Sequence, residues 1–175
     1  MPSQRQPYPA EPGQIGVSRT GASVSLARMT DEAAKILGTS LAAIDPWARA
    51  KRTPEHFTAF FAAKDDGGAR RYQILADGRL AGAIVVRSPW LSGSYLQLLG
   101  MLPGCEGQGL GNVALDWLVA QAREHGQLRN VWLCVSSFNT EAQRLYRAHG
   151  FERAALLDDL AIVGIDEVLM RKRLG

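Results

Sequence analysis

Apolar and polar positions repeat with two different periods along the chain, and the changes between these periods divide it into elements. Residues 23–29 alternate as a short strand. Residues 30–45 then place apolar side chains on one helical face, behind Thr30 or Asp31 as a capping residue. A second short helix is expected after Pro54, because the fixed φ of proline suits the first turn of a helix.

The middle of the chain changes to strands. Two apolar runs in RYQILADGRLAGAIVVRS are joined at Asp77-Gly78, a strong hairpin signal because both residues tolerate a positive φ. A further strand over residues 94–102 leads into the glycine-rich segment PGCEGQGLG. Apolar residues then recur at helical spacing, at Leu110, Val113, Ala114, Trp117, Leu118 and Ala122. The pattern predicts strand, loop and helix in that order.

The last part of the chain repeats this order. Residues 130–137 are apolar at both alternating sets of positions, which is typical of a strand covered on both faces. A helix is expected from Asn139 or Thr140, where TEAQ fits a capping box, to just before Phe151. The remaining residues predict a strand near 151–156, a polar loop at Asp158-Asp159 and a final strand EVLMRK.

The first 22 residues differ from all of this, since they contain four prolines, three glycines and few side chains suited to a core. Ordering such a segment costs more conformational entropy than its burial returns. We therefore expect a flexible tail over residues 1–22 and a single domain over residues 23–175.

Composition narrows the class of protein. The 175 residues are 46% hydrophobic and 21% charged, a globular balance, and the net charge of +3 is scattered except for RKR at 171–173. Nucleic-acid binding is therefore not indicated. Cys105 and Cys134 are too few for a disulfide framework and lack zinc-site spacing, so we expect both to be reduced and no metal to be bound. No run approaches the ~20 apolar residues of a membrane span, and no secretory signal is present, which favours a cytoplasmic protein that does not bind membranes.

The glycine loop is the first candidate for chemistry. Gly107, Gly109 and Gly111 allow the backbone to come close to a ligand, and the free N–H groups at the start of the following helix attract an anion such as pyrophosphate. A tight turn without a ligand is the alternative. A dinucleotide-binding loop fails at Asn112, and no Gly-Lys-Ser/Thr of a Walker loop is present. Glu106 is unexpected here, because a carboxylate repels phosphate.

Two linked motifs carry a resemblance to a known family. The segment LLGMLPGCEGQGLGNVALDWL and the later SSFNTEAQRLYRAHGF resemble the GNAT superfamily of acyl-CoA-dependent N-acyltransferases. That family has x-x-P-x-x-[Q/R]-x-x-G-x-[G/A] after a strand and N-x-x-A-x-x-L-Y-x-x-x-G-[F/Y] in a later helix. The second motif is matched by Asn139, Ala142, Leu145, Tyr146, Gly150 and Phe151.

The resemblance spans about Tyr95 to Phe151 and implies the GNAT fold. This is an α/β (α+β) fold with a central mixed, mostly antiparallel sheet of about six to seven strands and helices on both faces. Within the family, the sequence looks like the enzymes that acetylate the N-terminal amine of proteins, such as the amine of an N-terminal alanine. Final strands in this family often pair across a dimer, which makes a homodimer possible.

The resemblance also implies how acetyl-CoA would bind. Backbone groups of Leu99, Met101 and Leu102 would contact the pantetheine arm, and the Asn139 side chain would contact the cofactor or only cap its helix. Glu106 stands where the family has Gln or Arg, so it turns to solvent or to an Arg, caps a nearby amide at the helix start, or weakens the site. The pyrophosphate would be held by the amides of Gly107, Gln108, Gly109, Leu110, Gly111 and Asn112.

Catalysis by such a protein needs an acid, an oxyanion donor and a base. Tyr146 is the candidate acid for the departing sulfur, with packing of the helix on the sheet as its alternative role. The backbone N–H of Met101 is the expected oxyanion donor. The base is open: Tyr95, Gln97 and Ser136 can only position a water, and the candidates from flanking elements are Asp45, His56, Asp158, Asp159, Asp166 and Glu167.

The function implied by the resemblance is acetyl transfer from acetyl-CoA to a primary amine, on a peptide N-terminus or a small molecule. The acceptor pocket would be built by the segment containing Asp45, Pro46 and Trp47 and by the connection between the last strands. Because of Glu106 and the missing base, a catalytically silent CoA-binding module is the alternative.

Overall fold

The computed structural model describes residues 7–65 and 68–175. One sheet of eight strands runs through this part of the chain, and four helices pack on it. The strands are β1 Gly13–Val17, β2 Ser23–Arg28, β3 Ala69–Ala76, β4 Arg79–Trp90, β5 Gly93–Met101, β6 Asn130–Ser136, β7 Glu152–Ile162 and β8 Ile165–Arg173. The helices are α1 Asp31–Ala42, α2 Pro54–Ala62, α3 Leu110–Glu124 and α4 Thr140–Ala148.

The predicted helices and turns form where their capping and turn residues have the required hydrogen bonds or backbone angles. Thr30 caps α1 by accepting a hydrogen bond from the N–H of Ala33 at 3.2 Å. The β3–β4 hairpin turns at Asp77 and Gly78, whose φ values are 48° and 77°. Helix α4 begins at Thr140, within the predicted range, and is capped by Asn139 and not by the TEAQ box.

The strand order is β1-β2-β3-β4-β5-β6-β8-β7, and β5 and β6 are the only parallel neighbours among the described strands. Their pairing runs only from Gly93 to Leu96 on β5 and from Asn130 to Leu133 on β6. Beyond these residues the two strands separate. The sheet therefore has a wedge-shaped opening near its middle, between the end of β5 and the end of β6.

Each face of the sheet carries its own apolar core. Helices α1 and α2 cover one face with Leu37, Leu41 and Phe61, all fully buried. The opposite face is covered by α3 and α4, through residues such as Leu115 and Tyr146. The predicted mixed, mostly antiparallel sheet with helices on both faces is thus confirmed, with eight strands where about six to seven were expected.

The additional strand is β1, which lies inside the predicted tail. Gly13–Val17 pairs with β2, Tyr8 is only 1% exposed, and the Tyr72 hydroxyl donates to the carbonyl oxygen of Pro9 at 2.6 Å. The expected tail therefore does not hold for residues 7–22, because one buried aromatic ring and strand pairing offset the ordering entropy of a proline-rich segment. Residues 1–6 of that prediction lie outside the described residues.

Tyr8 provides a direct test of this correction. Its ring packs on Trp117 at 5.7 Å between ring centroids, and its hydroxyl lies 3.5 Å from the carbonyl oxygen of Leu118. We expect Tyr8→Ala to lower the free energy of unfolding by about 3 kcal/mol, since it leaves a cavity in the core. Tyr8→Phe keeps the ring and should cost less than about 1 kcal/mol. Denaturant unfolding measures both, and equal stability of Tyr8→Ala and the wild type would contradict the assignment.

The end of the chain also differs from expectation. Asp158 and Asp159 lie within the long strand β7, and the turn falls after Ile162. A register shift between Leu157 and Ile162 absorbs the polar pair, so no separate loop is needed there. Strand β8 is an inner strand, bonded to β6 on one side and to β7 on the other. It therefore has no free edge for pairing across a dimer.

Candidate functional site

The glycine loop joins the end of β5 to the start of α3 through three residues in the left-handed region. Gly104, Gly107 and Gly109 have φ values of 84°, 70° and 83°. The first backbone bond of the helix is donated by the N–H of Val113 to Gly109. Within the described part of the chain, the N–H groups of residues 108–112 have no protein partner. This is a set of free donors at a helix N-terminus, which suits an anion.

Glu106 does not point into this set of donors. Its Oε2 accepts a hydrogen bond from the N–H of Gly104 at 2.7 Å, at an exposed position. The side chain is exposed, in keeping with the alternative that turns it to solvent, and the amide that it caps is not the one expected at the helix start. The capped amide belongs to the turn and not to the helix, so the donors at residues 108–112 stay free. Arg19, which lies within the expected tail, reaches the same loop and donates to the carbonyl oxygen of Gly107 at 2.6 Å.

The end of β5 offers backbone groups to the opening beside β6. The N–H of Leu102 donates to Ala81 on the β4 side, and its carbonyl oxygen accepts from Cys105. Because antiparallel neighbours alternate between bonded and non-bonded pairs, the backbone groups of Leu99 and Met101 point away from β4. These two residues thus face the opening, as a contact with pantetheine requires. Leu102 does not, since both of its main-chain groups are engaged within the protein.

The opening between β5 and β6 contains a cavity of about 420 Å³. Its walls come from residues 95–99 of β5, residues 134–136 of β6 and the side chains of Asn139 and Tyr146. Pro46 and Trp47 close one side, and residues 160–162 of the β7–β8 hairpin close another. Both segments expected to build an acceptor pocket therefore do line this cavity, although Asp45 does not and instead pairs with Arg49.

Tyr146 is held by α4 at the edge of the cavity. Its ring packs edge-on against Phe151 with 6.0 Å between centroids, and the residue is 8% exposed. No partner for its hydroxyl is found among the described residues, so packing alone does not account for the phenol. Burial raises the pKa of Tyr146 to about 12, which keeps the proton on the oxygen throughout the neutral range. Asn139 lines the cavity too, but its Oδ1 caps α4 by accepting from the N–H of Ala142 at 3.2 Å.

Of the six residues proposed from sequence as the general base, Glu167 and His56 line the cavity. Glu167 lies opposite Ser136 in the β6–β8 register, and the Ser136 hydroxyl donates to its Oε1 at 2.8 Å. Burial raises the pKa of the Glu167 carboxyl, an effect that the hydrogen bond from Ser136 opposes. His56 is exposed and lies beside the Arg52 guanidinium, 3.5 Å from its Nη1. Asp45, Asp158, Asp159 and Asp166 do not line the cavity.

Residues 7–65 and 68–175 contain neither a metal-binding cluster nor a membrane-spanning helix. No cluster of three or more His, Cys, Asp or Glu side chains there is arranged to hold a metal ion. None of the helices in the same residues is both long and apolar enough to cross a membrane.

Several solved structures share the fold of this chain. Mycobacterium smegmatis RimJ in complex with CoA-disulfide aligns with a TM-score of 0.72 at 17% identity, covering 95% of this chain and 90% of that chain. The ribosomal-protein-S18-alanine N-acetyltransferase from Escherichia coli aligns with a TM-score of 0.68 at 20% identity, covering 87% of this chain and 94% of that chain. At these identities the likeness concerns the fold alone.

Sequence comparison adds the family. Streptothricin acetyltransferase of Streptomyces lavendulae is 33% identical over 107 residues, which cover 60% of this chain and 51% of that protein, so the match spans about half of that relative. The model of the Acetyltransferase (GNAT) family matches residues 36–151, a stretch that includes the glycine loop, the cavity strands and Tyr146. The chain belongs to the GNAT family of acetyltransferases.

Proposed function

We propose that this protein transfers an acetyl group from acetyl-CoA to a primary amine. The observation that carries the proposal is the separation of β5 from β6, which leaves a cavity lined by Leu99 and by Tyr146, whose hydroxyl has no partner among the described residues. The free backbone edge of β5 continues from Leu99 to Met101. The free amides at residues 108–112 lie next along the chain after this edge, as an elongated ligand with a diphosphate would need.

Different residues would bind acetyl-CoA and stabilise the charges that develop during acetyl transfer. Amides of the loop would hold the diphosphate, and the backbone of Leu99 and Met101 would hold the pantetheine arm. Acetyl-CoA supplies an activated thioester. Tyr146 donates a hydrogen bond to the leaving sulfur, a role that suits a phenol with a pKa of about 12 better than complete proton transfer to a thiol with a pKa of about 8.5. The N–H of Met101 would stabilise the oxyanion.

The nature of the acceptor is indicated by a charged group in the cavity wall. Glu167 places a carboxyl group in this wall, and Trp47 and Phe57 add aromatic side chains to the same cavity. A carboxylate both attracts an ammonium group and can remove a proton from it, directly or through a water. The acceptor is therefore an amine that is cationic in solution. Both a peptide N-terminus and a small-molecule amine meet this description, and the named relatives include an enzyme of each kind.

Titration calorimetry and a thiol-release assay over a panel of amines test the proposal together. We expect acetyl-CoA to bind at micromolar concentration and at least one amine in the panel to release CoA. Peptides with free N-termini and polyamino compounds form the two arms of the panel, and N-acetylated versions of each serve as controls. Binding without release for every amine would support the catalytically silent module instead, and absence of binding at millimolar acetyl-CoA would exclude both.

Glu167→Gln tests the base. The wild-type kcat/KM should rise with pH as the Glu167 carboxyl ionises, because only the carboxylate accepts a proton, and burial displaces this rise above the ordinary range for a glutamate. The variant should lose this limb and about a hundredfold in kcat, while keeping any later rise that belongs to the amine itself. Glu152→Gln, at an exposed position of β7, is the matched control. An unchanged pH profile in Glu167→Gln would reject the assignment.

A further inference from the structure

The N-terminal hairpin of β1 and β2 rests against the glycine loop. Arg19, in the turn of this hairpin, donates from Nη2 to the carbonyl oxygen of Gly107 at 2.6 Å, across 88 positions of sequence. Arg19 is also the nearest neighbour of Gly109: a Cβ added to that glycine would lie 3.1 Å from the Cβ of Arg19 and 3.2 Å from its main-chain nitrogen. The hairpin thus forms the outer wall of the loop.

The first strand of the hairpin also contacts the helix that follows the loop. A Cβ added to Gly16 would lie only 2.8 Å from Cγ1 of Val113, in the first turn of α3. The turn itself is closed by the Ser18 hydroxyl, which accepts from the N–H of Ala22 at 3.1 Å. Arg19 is therefore carried by an ordered segment that is fixed to α3, although its own side chain is exposed.

The bond from Arg19 sets the direction of one peptide group. In a trans peptide the carbonyl oxygen and the following N–H point in opposite directions. With the oxygen of Gly107 held by the guanidinium, the N–H of Gln108 points to the side of the loop away from the hairpin. This N–H is the first of the free donors at residues 108–112.

Charge at the loop gives Arg19 a second role. Glu106 is the only charged residue between Pro103 and Asn112, and it is negative. A guanidinium carries five N–H donors, and the bond to Gly107 uses one of them. The guanidinium is exposed, and its positive charge opposes the repulsion that Glu106 exerts on a phosphate.

We propose that Arg19 is a binding residue for the diphosphate of acetyl-CoA. From the N-terminal hairpin it supplies the positive charge that the loop itself lacks. This inference rests on the proposed function. Arg19 holds the Gly107–Gln108 peptide in its binding orientation, and the positive charge of its guanidinium attracts the diphosphate to the loop.

Titration calorimetry with CoA, on the wild type and on Arg19→Ala, Arg19→Gln and Arg19→Lys, tests the inference. We expect the alanine and glutamine variants to raise the Kd about tenfold or more, the value of one charge-assisted contact, and lysine to retain part of the affinity. Arg123→Ala removes the same charge at the far end of α3 and should leave the Kd unchanged. Thermal melting shows whether each variant is folded.

Two further ligands separate phosphate contact from a purely structural role. With 3′-dephospho-CoA the loss in Arg19→Ala should be as large as with CoA, and loss of the effect would place the contact on the 3′-phosphate and overturn the diphosphate assignment. Acetyl-pantetheine has no phosphate, so its kcat/KM should not change in Arg19→Ala. A parallel drop with acetyl-pantetheine would show that Arg19 only supports the fold.

The outcomes also distinguish this inference from the function on which it rests. Wild-type protein that binds no CoA would overturn both. Wild-type protein that binds CoA with the same Kd as Arg19→Ala would overturn the inference and leave the proposed function standing.

Discussion

Replacing Tyr146 with phenylalanine should lower kcat by about a hundredfold, at the lower end of what one hydrogen-bond donor to developing negative charge contributes. The ring and its packing on Phe151 are retained, so only the hydroxyl group that faces the cavity is lost. Because that hydroxyl acts on the leaving sulfur, kcat and kcat/KM should fall together while the Kd of acetyl-CoA stays constant. The thiol-release assay and titration calorimetry measure these quantities.

The shape of the pH profile gives a second readout for the same variant. With a pKa of about 12, the phenol does not titrate between pH 6 and pH 9, so Tyr146→Phe should be slow at every pH without displacing the limb assigned to Glu167. Tyr72→Phe is the matched control, because it removes a buried hydroxyl that bonds to Pro9 outside the cavity. It should cost stability but not rate. Normal turnover in Tyr146→Phe would remove Tyr146 from the mechanism.

Gly109→Val should weaken acetyl-CoA binding by a hundredfold or more. The φ of 83° costs a side chain such as valine about 1–2 kcal/mol, and the new Cβ would press on Arg19 at 3.1 Å. The backbone must then rotate, which moves the N–H groups of Leu110 and Gly111 out of line with the phosphates. Two charge-assisted bonds of about 1.5 kcal/mol or more each account for the hundredfold change.

Gly126→Val controls for the strain in this experiment. Gly126 has a φ of 73° just after the opposite end of α3, and nothing lies within 4 Å of its added Cβ. Both variants should therefore lose a similar amount of stability in thermal melts, while only Gly109→Val loses affinity in calorimetry. Equal affinities of the two variants would mean that the loop does not bind the cofactor.

The elements that could be predicted from sequence are those with local signals. The Asp77-Gly78 turn, the amphipathic face of α3 and the cap at Asn139 depend on neighbouring residues, and all three are observed where the pattern indicated. Strand β1 has no such signal. It is stabilised by pairing with β2 and by the burial of Tyr8 against α3, which are contacts between segments far apart in sequence.

The same distinction applies to the candidate site. Tyr146 and the glycine loop belong to motifs with fixed spacing, so sequence was sufficient to select them. Glu167 could be selected only after the β6–β8 register had placed it opposite Ser136, since six candidate bases were equivalent before. Arg19 had no signal at all, because its partner Gly107 lies 88 positions away in sequence.

The ordered N-terminal segment has a practical consequence for anyone who shortens the gene. β1 is a poor template for aggregation, being short and irregular, with a register shift between Gln14 and Gly16. β2 pairs with β3 in unbroken register over five residues, from Val24 to Arg28. The proline-rich composition of the first 22 residues suggests a shortened protein that starts at Ser23. In such a protein β1 is missing, and the regular strand β2 becomes the edge of the sheet. We expect such a protein to form insoluble material by edge-to-edge association.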